Sequence, residues 1–392
     1  MRVAFLISGL HEGGAERVVT VLANEMKHRK HDVHILVTWS EKCVYKLDSD
    51  IPIIPIYKDF PSENSYRNNK RYHIQKKIVS NYLKLKYRDT KKINNSLEYW
   101  KALVRNKEKA KVLASYLENY KINVLYSFMD NSNIIAGIAK RYTKAKIIVS
   151  QRIFHDYSDL NIPKNRLINL SYSKANTVVF QTKEQEETFS QTVKDKGVVI
   201  HNPIKYDLPT PYSGKRKSVI VNYCRLTEQK NLILLIKAFF RLSQEYKDYS
   251  LEIYGNGDQR EELISMIYSL RLEHKAFIYP FLSNIHQRIM DYSMFVMTSD
   301  YEGMPNSLLE AMAIGLPVIS TDCLGGGAKA VINDGINGLL IPCNDEEALY
   351  NAMKKYVENP DFAMKCGNKA LDIKENLSVE KITDQWLALA EG

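Results

Sequence analysis

The chain has 392 residues, of which 45% are hydrophobic and 26% are charged, and its formal net charge is +10. This length exceeds the size at which one hydrophobic core keeps growing, so two domains of nearly equal size are expected. No segment approaches the roughly 18 uninterrupted apolar residues that a spanning helix needs, so we expect a chain that does not cross a membrane.

Cysteine usage and the first residues bear on the cellular compartment. The five cysteines are scattered and lack any C-x-x-C pair, which argues against a disulfide framework and a zinc site and predicts a cytoplasmic location. The opening MRVAFLISGL has no small-residue cleavage site after its apolar run, so it predicts a first buried strand.

Short apolar runs alternate with helical stretches along the whole chain. There are twelve candidate strands: VAFLIS, DVHILVT, NVLYSF, KIIVS, TVVFQT, GVVIHN, SVIVNYC, LEIYG, AFIYP, MFVMTS, LPVIS and GLLIP. Alternating strands and helices predict parallel sheets, and this number of strands predicts two doubly wound domains. Three prolines, Pro203, Pro209 and Pro211, mark the predicted boundary between them.

Gly13 and Gly14 follow the first predicted strand and precede an amphipathic helix. Glycines at this point let backbone N–H groups approach a phosphate or sugar oxygen at the positive end of a helix. The spacing is not the G-x-G-x-x-G dinucleotide fingerprint, which argues against NAD. The alternative interpretation is a tight turn that needs a positive φ.

One segment carries the positive charge. From Arg67 to Lys111 there are fifteen Lys or Arg residues against three acids, a net charge of +12, so the rest of the chain is near −2. Four apolar residues recur there at helical spacing: Ile74, Ile78, Tyr82 and Leu85. The pattern predicts one or two amphipathic basic helices, inserted in the first domain at about 67–111.

Three interpretations of this basic insert are open. It would dock on the anionic inner leaflet of a membrane, with Lys76, Lys77 and Lys84 in contact with lipid. The alternative is a plain solvated helix. A nucleic-acid surface is disfavoured because nothing matches a known nucleic-acid module, so no nucleic-acid partner is predicted.

Two polar residues after later strands are predicted to lie on the acceptor side. Asp130, in FMDNSN, is a candidate general base, and the alternative is a cap for the following helix. Arg152, in IIVSQR, is the second.

Arg225 and Lys230, in YCRLTEQKNL, follow the first strand of the second domain. The carboxyl edge of such a sheet is where ligands bind, and two cations there would neutralise a diphosphate leaving group without a metal. The alternative is a solvated pair of side chains. Further along, Gly255 and Gly257 predict a strand-to-helix turn.

Glu302 and Glu310 are separated by seven residues in SDYEGMPNSLLEAMAIG, which predicts a strand end, a loop and a helix closed by Gly315. A carboxylate accepts two hydrogen bonds from vicinal hydroxyls, and sugars and riboses carry such pairs. For Glu302 the alternative is a helix-dipole or capping acid.

These motifs resemble glycosyltransferase family 4, nucleotide-sugar enzymes of the GT-B fold, over essentially the whole chain. The resemblance is strongest between Ser299 and Asp322. It implies an α/β architecture of two doubly wound Rossmann-like domains facing a central cleft. Residues 1–205 would bind the acceptor, residues 206–374 would bind the nucleotide sugar, and a terminal helix in 375–392 would cross back to the first domain.

The resemblance also implies roles for individual residues. Arg225, Lys230 and Glu302 would be catalytic, and Glu310 would bind the nucleotide ribose. The implied donor contacts are Gly13, Gly14, Arg225, Lys230, Gly255, Glu302, Gly303, Met304, Pro305, Asn306, Ser307, Leu308 and Glu310. The implied reaction retains the anomeric configuration, and no metal and no cofactor are predicted.

EGMPN and SFMDNSNIIAGIA are similar to the subset of the family that extends bacterial polysaccharides on lipid carriers. This similarity implies a UDP-sugar donor, a polyprenyl-diphosphate-linked saccharide acceptor, and an enzyme on the cytoplasmic face of the inner membrane. Two alternatives stay open: the same donor chemistry on a soluble acceptor, and a sugar-nucleotide-binding protein without turnover. Cys224, Pro280 and Ala330 depart from residues common among relatives.

Overall fold

A computed structural model describes residues 1–11, 13–38, 41–58, 60 and 70–391, excepting the side chains of residues 70 and 71. The chain divides into two compact units, one comprising Met1–Ile200 with Ile382–Gly392 and the other comprising His201–Lys381. Each unit is built on one parallel sheet, which confirms the α/β class and the two Rossmann-like domains.

The amino-terminal unit contains a seven-stranded sheet in the order β3-β2-β1-β4-β5-β6-β7. Its strands are β1 Arg2–Ile7, β2 Asp32–Val37, β3 Ile53–Pro55, β4 Val124–Phe128, β5 Lys146–Ser150, β6 Thr177–Phe180 and β7 Gly197–Val199. Its helices are α1 Gly14–His28, α2 Lys70–Lys86, α3 Thr90–Asn119, α4 Asp130–Ala139, α5 Pro163–Tyr172, α6 Lys183–Glu187 and α7 Gln191–Lys194, with a 3₁₀ turn at Lys140–Tyr142.

The carboxy-terminal unit contains a six-stranded sheet in the order β10-β9-β8-β11-β12-β13. Its strands are β8 Lys217–Tyr223, β9 Ser250–Tyr254, β10 Ala276–Tyr279, β11 Tyr292–Met297, β12 Val318–Thr321 and β13 Leu339–Ile341. The helices are α8 Leu232–Glu245, α9 Arg260–Ser269, α10 Ile285–Ile289, α11 Asn306–Ala313, α12 Glu346–Glu358, α13 Pro360–Ala370 and α14 Ile373–Asn376, with a 3₁₀ turn at Glu228–Lys230. The terminal helix α15, Val379–Glu391, belongs to the amino-terminal unit from Ile382 onward.

Both sheets reverse their winding direction next to the first strand of the unit. The reversal lies between β1 and β4 in the first sheet and between β8 and β11 in the second. In open parallel sheets a ligand binds outside the carboxyl ends of the strands at such a switch point. The loops after these four strands are therefore the places to look for function.

The sequence pattern missed one strand. β3, in IPIIPI, pairs in parallel with β2 and places Ile53 opposite Ile35 and Pro55 opposite Val37. Proline cannot donate to a sheet ladder, so a proline-containing run argues against a central strand. β3 escapes this objection because it is the edge strand of its sheet.

The basic insert forms two helices, α2 and α3. Its predicted first residues, from Arg67 to residue 69, lie outside the described part of the chain. The second helix runs to Asn119, beyond the predicted end, because its last turns enter the core: Ala110, Leu113, Ala114 and Leu117 are buried. Only the earlier part of the insert is therefore a surface feature.

The helix α2 turns its apolar stripe to solvent. Tyr72 stacks on Trp100 of α3 with ring centroids 5.7 Å apart, and Leu83 is buried. The exposed fractions of the predicted stripe are 61% for Ile74, 62% for Ile78, 58% for Tyr82 and 89% for Leu85. Among the described helices none is both long and apolar enough to span a bilayer.

The terminal helix α15 completes the core of the amino-terminal unit. Trp386 is fully buried, stacks on Phe128 at 5.4 Å and meets Tyr126 edge-on at 5.3 Å. The Tyr126 hydroxyl donates to the Trp386 carbonyl at 2.7 Å. The last turns of the chain are thus part of the first unit.

We predict that Trp386→Ala lowers the free energy of unfolding by about 3–5 kcal/mol, because it removes a large buried ring from between two aromatic side chains. Urea denaturation followed by circular dichroism measures the change. Gln385→Ala, at an exposed position of the same helix, is the matched control and should leave the midpoint unchanged. Equal midpoints for both variants would contradict the packing described for Trp386.

Candidate functional site

The main candidate site is at the switch point of the carboxy-terminal sheet, where the loops after β8 and β11 lie side by side. Lys230 Nζ forms an ion pair with Glu302 Oε1, and Ser299 Oγ donates to the same oxygen at 2.9 Å. Glu302 is buried, and the Lys230 side chain is only 12% exposed. The structure thus brings together a cation and an acid that the sequence placed on different loops.

The ion pair sets the charge state of Lys230. Burial by itself lowers the pKa of a lysine, but the neighbouring Glu302 carboxylate outweighs it, so the pKa of Lys230 is raised above its ordinary value. Lys230 therefore stays cationic at neutral pH.

Backbone and side-chain hydrogen bonds lock the two loops together. Asp300 N donates to Gln229 O at 2.9 Å, and Gln229 Nε2 donates to Tyr301 O at 2.6 Å. Asn231 adopts a left-handed conformation with φ 44°, and its amide donates to Asp300 at 2.9 Å and to Asn344 at 2.6 Å. The position of Lys230 relative to Glu302 is consequently fixed by the loop backbones.

A third loop, after β12, supports the segment from Glu302 to Asn306. Glu302 N donates to Leu324 O at 2.8 Å. A Cβ atom on Gly327 would lie 1.8 Å from Gly303 O, so only glycine allows the two loops to stack. Asn202 Nδ2 donates to Met304 O at 3.1 Å and to Asn306 Oδ1 at 2.8 Å.

The helix α11 begins at Asn306, and its N-cap is Pro305. The alternative interpretation of Glu302 as a capping acid is therefore wrong, because its carboxylate pairs with Lys230 instead. The remaining predicted donor contacts, Ser307 and Leu308, lie in the first turn, where Leu308 is buried.

Glu310 has a partner that sequence reasoning missed. His286 Nε2 lies 2.8 Å from Glu310 Oε2, and both side chains are buried. His286 is on the short helix α10, and Tyr223 at the end of β8 meets its ring edge-on with centroids 5.6 Å apart. The only signal was a single histidine in NIHQRIM, and the sequence alone does not distinguish it from a histidine of the core.

Arg225 lies in the loop after β8, and Gly255 lies in the loop after β9. Arg225 is exposed. A Cβ atom on Gly255 would lie 1.8 Å from Cys224 O, so this glycine permits close approach of the two loops. Burial raises the pKa of the Cys224 thiol to about 12, so the thiol stays protonated at neutral pH.

Gly13 and Gly14 lie at the switch point of the amino-terminal sheet, after β1. Gly13 has φ −178° and Gly14 begins α1, so the alternative of a turn with positive φ is wrong. Gly13 N donates to the Tyr45 hydroxyl at 2.8 Å, and that hydroxyl donates to Gly13 O at 2.8 Å. A ligand that uses the Gly13 N–H would therefore have to displace Tyr45.

Asp130 lies at the same switch point, after β4. Tyr157 Oη lies 3.0 and 2.8 Å from its two carboxylate oxygens, and Lys164 Nζ lies 3.1 Å from one of them. The interpretation of Asp130 as a helix cap is wrong, because the N-cap of α4 is Met129 and no side chain caps it.

A buried network positions Tyr157 behind Asp130. Gln151 Nε2 donates to the Tyr157 hydroxyl at 3.1 Å, and the Tyr172 hydroxyl donates to Gln151 Oε1 at 2.6 Å. Asn133 Nδ2 donates to the Tyr172 hydroxyl at 2.7 Å. Burial raises the pKa values of both tyrosines, so both are hydrogen-bond donors at neutral pH.

Arg152, the other acceptor-side prediction, is buried in the amino-terminal unit. Its guanidinium lies 4.7 Å from the ring centroid of Phe128 and 5.4 Å from that of Trp386. Burial lowers its pKa to about 9. These contacts indicate a cation that packs on the aromatic core.

Within the described residues, no group of three or more His, Cys, Asp or Glu side chains is placed to share a metal ion. At the two switch points the observed ion pairs are Lys230 with Glu302 and Lys164 with Asp130.

The carboxy-terminal unit matches a known family. Residues 211–372 match the family model of glycosyl transferases group 1, which covers less than half of the chain. This segment contains Arg225, Lys230, Glu302 and Glu310.

Two relatives from Campylobacter jejuni are similar to nearly the whole chain. One is the GalNAc-alpha-(1->4)-GalNAc-alpha-(1->3)-diNAcBac-PP-undecaprenol alpha-1,4-N-acetyl-D-galactosaminyltransferase, 25% identical over 99% of this chain and 98% of its own length. The other is the N-acetylgalactosamine-N,N'-diacetylbacillosaminyl-diphospho-undecaprenol 4-alpha-N-acetylgalactosaminyltransferase, 26% identical over 94% of this chain and 93% of its own length.

Among solved structures, Anabaena HepE in complex with UDP superposes with a TM-score of 0.72 at 16% identity, covering 99% of each chain. The parallel-sheet units, the matched family model and these relatives together identify the chain as a glycosyltransferase of the GT-B fold.

Proposed function

We propose that this enzyme transfers a sugar, with retention of anomeric configuration, from a UDP-sugar to a polyprenyl-diphosphate-linked saccharide. The observation that carries the proposal is the buried Lys230–Glu302 ion pair at the switch point of the carboxy-terminal sheet. The acceptor is inferred from the printed names of the two Campylobacter relatives, which act on undecaprenol-diphosphate-linked saccharides. The nucleotide is inferred from the UDP complex of the structural neighbour.

In this proposal the β8 loop holds the donor diphosphate. Lys230 is kept cationic by Glu302, and the exposed Arg225 is on the same loop. Two cations stabilise the charge that develops on the diphosphate as it leaves, which is the interaction that lowers the barrier most. The transfer then needs no metal to neutralise the leaving group.

The β11 loop and α11 hold the rest of the donor. Glu302 and the loop from Gly303 to Asn306 would bind the transferred sugar, and Glu310 would accept hydrogen bonds from the ribose hydroxyls. Gly255 would act by letting the β8 loop pack closely. For Gly13 and Gly14, a donor contact requires displacement of the Tyr45 hydroxyl.

In the chemical step, the acceptor hydroxyl oxygen forms a bond to the anomeric carbon while the bond to the diphosphate oxygen breaks. The diphosphate leaves with the bonding electron pair, and its departing oxygen takes the acceptor proton on the face of attack. This path needs no protein base. Asp130 fits it as a hydrogen-bonding group for the acceptor, because its carboxylate is already held by Tyr157 and Lys164. Arg152, packed on aromatic rings, would support that side of the unit without contacting the acceptor.

The helix α2 would dock the enzyme on the cytoplasmic face of the inner membrane. At about 100° per residue, its four exposed apolar side chains fall within one arc, with Lys77 and Lys84 beside one edge and Lys86 beside the other. The helix contains no acidic residue. An exposed apolar stripe bordered by lysines fits an anionic lipid surface, where the stripe enters the interface and each lysine adds about 1 kcal/mol. Lys76 lies away from the stripe, so its contribution is long-range.

We predict that Glu310→Gln weakens UDP binding about 10- to 100-fold, because it removes the charge from hydrogen bonds worth about 1.5–3 kcal/mol. Arg225→Ala should leave UDP-sugar binding measurable but lower turnover about 100-fold or more. Thermal shift with UDP, GDP, ADP and CMP and their sugar conjugates measures binding, and product formation with lipid-linked acceptor measures turnover.

Two exposed residues provide matched controls for this site. Glu228→Gln, on the same loop as Arg225, and Lys237→Ala, on α8, should each leave binding and turnover unchanged. Full activity in the Glu310 and Arg225 variants would refute the site assignment. Nucleotide binding without turnover on any acceptor would instead indicate a sugar-nucleotide-binding protein, and a product of inverted configuration by NMR would refute retention.

We predict that Lys77→Glu together with Lys84→Glu weakens sedimentation with phosphatidylglycerol-containing vesicles about 30-fold, since each lysine contributes about 1 kcal/mol. Leu85→Asp should weaken it as well, because it places a charge in the apolar stripe. Pure phosphatidylcholine vesicles should bind all variants poorly.

The control for this experiment is Lys237→Glu together with Lys247→Glu, which makes the same change in net charge on the carboxy-terminal unit. Equal loss in both double variants would show a general charge effect and not a docking helix. Activity on a free oligosaccharide that does not depend on lipid would favour the soluble-acceptor alternative.

A further inference from the structure

The pair formed by His286 and Glu310 stands apart from the other ion pairs of the carboxy-terminal unit. It is buried on both sides, with 6% and 4% of the side chains exposed, and Nε2 lies 2.8 Å from Oε2. It joins two helices that follow one another in the chain, α10 and α11. A buried carboxylate is strongly destabilising unless it is hydrogen-bonded or paired, so Glu310 depends on such a partner.

The histidine ring is itself held in place. Tyr223 meets it edge-on at 5.6 Å and 87°, and the Tyr223 hydroxyl donates to Ser307 O at 2.7 Å, in the first turn of α11. The end of β8, the helix α10 and the start of α11 are thus connected around one carboxylate. The ring orientation fixes the direction from which Nε2 meets Glu310.

The contact with His286 engages one oxygen, Oε2, of the Glu310 carboxylate. An ionised carboxylate has about four acceptor positions, and the bond to Nε2 uses one of them, on Oε2. If Glu310 is ionised, His286 must carry a proton on Nε2 and donate it. The bond also restricts rotation of the carboxylate about its last torsion, so that Oε1 has a set direction.

We infer that His286 is a positioning residue for donor recognition: it orients the Glu310 carboxylate to accept the vicinal hydroxyls of the nucleotide ribose. This inference rests on the proposed function, in which Glu310 binds the ribose. It adds that ribose recognition depends on a residue of α10, outside the loops after β8 and β11, that acts through Glu310. A positioning role differs from a role in core packing in its effect on binding. If His286 positions Glu310, its loss weakens only the binding of the ribose hydroxyls.

The test compares the dissociation constants of UDP and 2′,3′-dideoxy-UDP by isothermal titration calorimetry. The wild-type enzyme should prefer UDP by about tenfold or more, because the dideoxy analogue lacks the hydroxyls that a charged acceptor binds. Glu310→Ala should abolish this preference. His286→Phe keeps a ring against Tyr223 but cannot donate, so it should also remove most of the preference and leave binding of the dideoxy analogue nearly unchanged.

Two further variants keep the test informative if His286→Phe folds poorly. His286→Gln places an amide donor within reach of the same oxygen and should retain most of the preference. His286→Asn is a shorter donor that does not reach, and it should behave like His286→Phe. In steady-state kinetics the Phe and Asn variants should raise the KM for the donor with kcat nearly unchanged, and His286→Phe in the Glu310→Ala background should add no further loss.

The possible failures are distinguishable. If Glu310→Ala keeps the preference for UDP, the ribose assignment in the proposed function is wrong. If Glu310→Ala loses the preference and His286→Phe or His286→Asn retains it, the role of His286 is refuted and the ribose assignment stands. Equal weakening of UDP and dideoxy-UDP by the His286 variants would show a purely structural role and would also refute the inference.

Discussion

The carboxy-terminal site depends on one buried ion pair, that between Lys230 and Glu302. Removing two charges from water costs several kcal/mol per ion, and a hydrophobic pair of similar size often serves stability as well or better. The structure nevertheless supports this pair with three loops, a serine hydroxyl and a glycine that allows no side chain. Stability gives little reason for such an arrangement. A ligand that takes up both charges during a reaction gives a direct one, which is the basis of the proposed diphosphate and sugar contacts.

The two glutamates of the motif are held in different electrostatic environments. Glu302 faces a lysine whose raised pKa keeps it charged at neutral pH, whereas Glu310 faces a buried histidine, whose Nε2 lies 2.8 Å from Oε2. One acid is therefore part of a permanent ion pair, and the other has a partner that can be a neutral hydrogen-bond donor. Such a difference suits the two proposed tasks: Glu302 would act beside the loop proposed to hold the diphosphate, and Glu310 would bind neutral hydroxyls, which require a directed acceptor.

Much of the fold and part of the site follow from the sequence, for identifiable reasons. Strands of parallel sheets are continuous apolar runs, so twelve of them were readable. β3 was missed because its proline, Pro55, suits an edge strand, and a sequence pattern does not reveal which strand lies at the edge. The acids and cations were readable because charges are conspicuous beside apolar strands. His286 was not, because its role depends on a partner 24 residues away, and only packing of α10 against α11 brings the two together.

The helix α2 also shows a limit of sequence patterns, because periodicity does not say which of its apolar sides is buried. Its stripe of four apolar residues has a helical period that fits a core-facing helix as well as the membrane-docking helix considered from the sequence. In the structure the opposite side, with Tyr72 and Leu83, packs instead, and the stripe is exposed. The helix therefore has two apolar sides, of which only the side with Tyr72 and Leu83 is packed. Exposing the several large apolar side chains of the other side is unfavourable in water. The lysines beside the stripe and the absence of acids on the helix therefore favour the proposed partner, an anionic lipid surface, which would satisfy both the apolar and the charged residues.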